Sequence, residues 1–107
     1  MLTRMSKNNK KTITLTTAES TTPEIDLQEF AGGFLEIVGN PGTLTFYGSS
    51  TVGEGATHVP VHDSSNSAVV LTVTQGKGYA IPGDCFGCRS IKIVAGTAGA
   101  IKYSLKG

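Results

Sequence analysis

Hydrophobic and polar residues alternate strictly late in the chain: Ile91 and Ile93 with Ser90 and Lys92, then Ile101, Tyr103 and Leu105 with Lys102 and Ser104. Period two marks a strand with one buried and one wet face. Gly96 and Gly99 bound the stretch between the two runs, so the pattern predicts a hairpin within Phe86 to Leu105. An echo of it runs from Phe30 to Tyr47. Phe30 answers Phe86, Leu35 answers Ile91, Ile37 answers Ile93 and Val38 answers Val94, with Glu36 on the wet face where Lys92 stands. After one residue is gained in the later turn, Gly42 answers Gly99, Leu44 answers Ile101 and Phe46 answers Tyr103. Two similar β units facing each other are one reading; any two amphipathic hairpins also look alike.

Elsewhere the pattern is again that of short strands. Thr12 to Thr17 alternates with Ile13 and Leu15 inward. Ile25 and Leu27 alternate with Glu24, Asp26 and Gln28, although Asp26 to Glu29 also fits one helical turn. Gly48 to Ala56 is a Gly/Ser/Thr-rich loop. Thr57 to His62 reads as a strand that Pro60 confines to a sheet edge or an irregularity. Asp63 to Ser67 has the residues of a turn. Ala68 to Thr74 carries Val69, Leu71 and Val73 on one face and Val70 on the other. Tyr79 to Ile81 is a short strand, and Pro82 to Asp84 is a turn.

About eight or nine short strands at even spacing predict an all-β fold, an antiparallel β-sandwich of jelly-roll type. Its core is expected to hold Ile13, Leu15, Leu35, Ile37, Leu44, Phe46, Val69, Leu71, Val73, Ile91, Ile93, Ile101 and Tyr103.

Composition narrows the function. The 107 residues suit one domain, with 14 Gly and no Trp, so the core is aliphatic. A net charge of +1 is against general nucleic-acid binding, and no apolar run approaches the roughly 18 residues of a membrane span. The first residues are basic without an apolar segment behind them, which is against a secretory signal peptide. Residues 1–11 read instead as a basic arm ahead of a sandwich at 12–107. Its charges, Arg4, Lys7, Lys10 and Lys11, are unopposed by any acidic residue and suit contact with an acidic partner.

Chemistry-bearing motifs are few. Cys85 and Cys88 form a CxxC, and His58 and His62 could complete a Cys2His2 zinc set. In an extended strand, however, the two histidines lie about 13 Å apart at ~3.3 Å per residue. No metal or other cofactor is therefore expected. No helix pattern follows Cys88, so a redox dithiol is not expected either, and two reduced, partly buried cysteines are. His62, Asp63 and Ser64 are consecutive, and strand neighbours face opposite ways, so they form no triad. No catalytic residue is assigned. A carbohydrate-binding module is the rival class, with Phe34 and Tyr47 as its outward rings.

One resemblance covers about three quarters of the chain, from Asp26 onward. It is carried by Asp26, Leu27 and Gly33, by Thr43 to Gly48, by Val59 to Asp63 and by the Val69 to Val73 strand. Ala80 to Pro82, Phe86 and Gly87, Ile91 to Val94 and Leu105 to Gly107 continue it. The pattern resembles small virion proteins of tailed bacteriophages, the head decoration or cement proteins. It implies a structural β-sandwich on the outer capsid surface, assembled in the host cytoplasm, bridging copies of the major capsid protein. It further implies a homo-oligomer, often a trimer; the charge and composition add no nucleic acid or membrane as an expected partner. Phe34, Tyr47, His58, Pro60 and Val70 are the candidate surface contacts. The cysteine pair and the basic arm lie outside the resemblance.

Overall fold

A computed structural model of the chain describes residues 9–13, 21–28, 30–97 and 99–106. In chain order its strands are β1 (Asn9–Ile13), β2 (Ile25–Asp26), β3 (Gly32–Ile37), β4 (Thr43–Ser49), β5 (Val59–Pro60), β6 (Val70–Thr72), β7 (Gly78–Ala80), β8 (Ser90–Ala95) and β9 (Ile101–Lys106). A 3-10 helix, Gly83–Gly87, joins β7 to β8. The expected antiparallel two-sheet architecture is present. Sheet A has the order β1-β9-β3-β7; sheet B has the order β2-β8-β4-β5, with β6 also paired to β4.

The inward faces are those the alternation marked. Leu35, Ile37, Ile101, Tyr103 and Leu105 come from sheet A, and Leu44, Phe46, Ile91, Ile93 and Ala95 from sheet B; all are buried. Ile25, Leu27, Val69, Val73, Ile81 and Cys85 complete the core. Each fully buried Leu, Ile or Phe contributes about 1.5–3 kcal/mol.

The two expected hairpins are a correction. β3 belongs to sheet A and β4 to sheet B, while β8 belongs to sheet B and β9 to sheet A. Each turn is thus a corner that carries the chain across the core. The two units pair reciprocally: β3 lies against β9, with Leu35 opposite Tyr103, and β4 against β8, with Phe46 opposite Ile93. In strict two-fold correspondence Phe46 would face Ile91. The observed register is displaced by two residues, a shift that keeps every side chain on its own face.

The corners pack on each other. Val38 and Gly39 donate N–H bonds to the Ala100 carbonyl at 3.0 and 2.8 Å, and Thr97 donates its amide to Pro41 O at 3.0 Å and its hydroxyl to Asn40 O at 3.1 Å. Gly39 must be glycine because a Cβ there would lie 2.5 Å from the Ala100 nitrogen.

Other expectations shift in detail. β1 begins at Asn9, so Lys10 and Lys11, read as arm residues, pair with Ser104 and Tyr103 in sheet A. Arg4, Lys7 and Leu15 lie outside the described residues, as does the side chain of Ile13. Leu71 is only half buried, because β6 is a three-residue edge segment. Chain departs from that ladder where Val69 bonds Val61 O and Val73 bonds Gly42 O, both at 2.9 Å. β2 stops at Asp26, and the Phe30 N–H turns back to Leu27 O at 3.0 Å.

Candidate functional site

Among the described residues, a polar cluster that the sequence did not disclose joins Glu24, His58 and Ser90. Ser90 opens β8, His58 precedes β5 and Glu24 precedes β2, so sheet B brings the three together. The His58 side chain is 6% exposed and Ser90 is fully buried. His58 Nε2 lies 3.0 Å from Ser90 Oγ and 3.6 Å from Glu24 Oε2. Ser90 Oγ donates to Thr51 O at 2.7 Å. The Glu24 carboxylate accepts the Gly53 N–H, at 2.9 and 3.2 Å.

Proton counting fixes the roles. The Ser90 hydroxyl has one proton, and it goes to the Thr51 carbonyl. Its oxygen therefore accepts from His58, so in the neutral ring Nε2 carries the hydrogen. Nδ1 is then the bare nitrogen. It is buried with no hydrogen-bond partner among the described residues.

These three residue types also make nucleophilic triads, but this geometry differs. In a triad the serine proton points at one ring nitrogen and the carboxylate orients the other. Here serine and carboxylate approach the same nitrogen, and the serine proton is committed to backbone. The arrangement is a tie: it fastens the Gly/Ser/Thr-rich loop at Thr51 and Gly53 to β8 and to the entry of β2. Beside it Arg89 Nε and Asp26 Oδ1 form an exposed ion pair at 3.0 Å, worth about 0–1 kcal/mol.

Four of the five residues singled out as surface contacts fall in two places. Phe34 is 49% exposed on the outer face of sheet A. Tyr47 and Pro60 are cross-strand partners on sheet B, and Val70 lies beyond them opposite Thr45. His58 is not with them, since its ring turns into the cluster. His62 lies apart, with Nδ1 3.1 Å from Pro60 O. No three His, Cys, Asp or Glu residues converge on one point among the described residues.

Cys85 and Cys88 are free thiols at the end of the 3-10 helix, the first buried and the second half buried. Burial pushes the Cys85 thiol up to about 12, with Cys88 and Asp84 adding to it. A thiol so held is a packing group rather than a nucleophile. The folded state keeps this proton to higher pH than the unfolded chain does. Its contribution is therefore intact below pH 9 and is lost as pH rises toward about 12. A thiol moved from about 9 to about 12 loses on the order of 4 kcal/mol once both states are ionised, of which about 2–3 kcal/mol is gone by pH 11. Urea midpoints measured at about pH 8 and about pH 11 should show that loss, and Cys85→Ala should show a flatter pH dependence. Equal slopes in both proteins would remove Cys85 as the cause. The Tyr103 hydroxyl, raised by burial, acts in the same direction.

Comparison with protein-family models, with curated proteins and with solved structures finds no match.

Proposed function

We propose that the chain is a structural virion protein, a decoration or cement protein that stabilises a phage head by bridging copies of the major capsid protein. One observation carries the reading. The β5/β6 edge of sheet B leaves Pro60 and Val70 exposed on its outer face, opposite Tyr47 and Thr45, with Val70 45% exposed, and Val59, next along β5, is 57% exposed. An exposed apolar edge of this kind needs cover, and a second copy in a homotrimer supplies it. The resemblance described above agrees. Consecutive strands alternate between the sheets from β1 to β4 and from β7 to β9, and we read that alternation as a jelly-roll winding. The cluster built on His58 is a structural tie, and no catalytic role is assigned.

The basic arm supplies the contact to coat protein. Truncation must stop at residue 8, because Asn9 to Lys11 pair with β9. Removing residues 1–8 should leave the melting temperature unchanged within a few degrees and lower occupancy on purified capsids. For the intact chain, binding should weaken as salt shortens screening to ~3 Å at 1 M. Val70→Lys should shift the mass measured by light scattering from trimer to monomer. Full decoration by the truncated chain at every salt concentration would remove the arm from the contact. A monomeric parent protein that also stays single on the capsid would remove the trimer.

A further inference from the structure

The crossover from sheet A to sheet B runs through the 3-10 helix between β7 and β8, and it carries both cysteines. Cys88 caps the helix, and its N–H bonds the Cys85 carbonyl at 3.2 Å. A bond of that span closes a four-residue turn, whose end Cα atoms lie within about 7 Å of each other. A disulfide needs Cα atoms about 4.4–6.8 Å apart. Both side chains lie on the core side of the turn. Cys85 is wholly buried. Cys88 packs against the core, its sulfur so close over Gly48 of β4 that any Cβ there would overlap it. The turn is also held from outside the pair. Arg89 donates its N–H to Ser49 O at 2.9 Å, and its carbonyl accepts the Leu27 N–H at 2.8 Å. Closing the pair therefore draws two side chains together within a backbone that is already set.

We infer that Cys85 and Cys88 form a thiol–disulfide site, which a low-molecular-weight disulfide oxidises on the folded chain. Cys88 is the entry, being half buried while Cys85 is closed off from solvent. Cys88 Sγ gives its proton to water and attacks one sulfur of the small disulfide; that S–S bond breaks and one thiolate leaves. Cys85 Sγ then gives up its proton and attacks the Cys88 sulfur, the mixed S–S bond breaks, and the second thiolate leaves. Two protein thiols are oxidised to one disulfide. The small disulfide is reduced to two thiols, which take up the two protons. Cys85 never meets the reagent. It acts only on a sulfur beside it, where proximity offsets its weak acidity. Burial raises both thiols, so little thiolate is present at neutral pH and closure is slow there. The site is a lock rather than a fast relay: it fastens the crossover next to Ser90. The inference stands independently of any capsid contact.

The test is incubation of the folded full chain with oxidised glutathione at about pH 8, read by intact mass and thiol titration. The parent should lose two hydrogens and both thiols, with no glutathione attached and no crosslink between chains. Closure should quicken about tenfold per pH unit from about pH 7 to about pH 9. Cys85→Ala should retain one glutathione at Cys88, and Cys88→Ala should be modified at least about tenfold more slowly. The oxidised parent should melt a few degrees higher, return to its starting value with a reductant, and show the flatter pH dependence expected of Cys85→Ala. Five results would overturn the inference: a parent that ends with glutathione attached, closure only in urea, a crosslink between chains, Cys88→Ala modified as fast as Cys85→Ala, or an oxidised chain that melts lower than the reduced one.

Discussion

Gly39→Ala is expected to destabilise the protein by about 3 kcal/mol, lowering the melting temperature by about 12 °C or more. The new methyl would lie 2.5 Å from the Ala100 nitrogen and 3.1 Å from Gly99 Cα and carbonyl carbon. Those are backbone atoms, so no side chain can swing aside. The two corners must separate, and the bonds from Val38 and Gly39 to Ala100 O stretch with them. Gly32→Ala is the control, since its methyl enters open space; it should change stability by no more than about 0.5 kcal/mol. Equal thermal melts for the two variants would refute the account of the corners.

Ser90→Ala is expected to cost about 3 kcal/mol, and to do so through a loop rather than through the core. The substitution leaves the Thr51 carbonyl without its 2.7 Å donor and His58 Nε2 without its 3.0 Å acceptor. A buried polar group left unmatched costs roughly 1–3 kcal/mol. His58 already has one unmatched nitrogen, so the second loss falls on a ring with little reserve. Hydrogen exchange should accelerate at Gly53, whose N–H is held by Glu24, while β3 and β9 keep their protection. A double-mutant cycle with His58→Phe should give a coupling of about 1 kcal/mol or more. Additive effects would mean that the three side chains share a place without acting together.

Alternation made the inward faces legible. Leu35, Ile37, Leu44, Phe46, Ile91, Ile93, Ile101 and Tyr103 lie inside as their period of two requires. It could not say which sheet each strand joins. Asn40, Pro41 and Gly42 are turn residues whether the chain doubles back on a neighbour or crosses to the opposite layer, and only packing of the two corners selects the crossing. Cys85 was expected to be reduced and partly buried; it lies wholly in the core, which the sequence did not indicate because the 3-10 helix that turns it inward has no apolar period of its own. Pro60 did predict an edge, since a residue without an N–H is excluded from a central strand. The Glu24–His58–Ser90 cluster was not legible at all. Its members are separated by more than 30 residues; His58 was weighed for zinc and surface contact, and Glu24 and Ser90 read as ordinary polar positions on strands.

The strand order also constrains how the chain is made. β9 sits between β1 and β3, and β8 between β2 and β4. The last strands synthesised are thus the middle strands of both sheets. Until they emerge from the ribosome, β1 and β2 have no ladder to join, β3 has only β7, and β4 has only the short β5 and β6. The nascent chain must remain open through most of translation, and folding must close loops nearly as long as the protein itself. Refolding from denaturant is accordingly expected in the millisecond-to-second range of non-local β topologies, and a fragment ending before Ser90, which lacks β8 and β9, should collapse without completing either sheet.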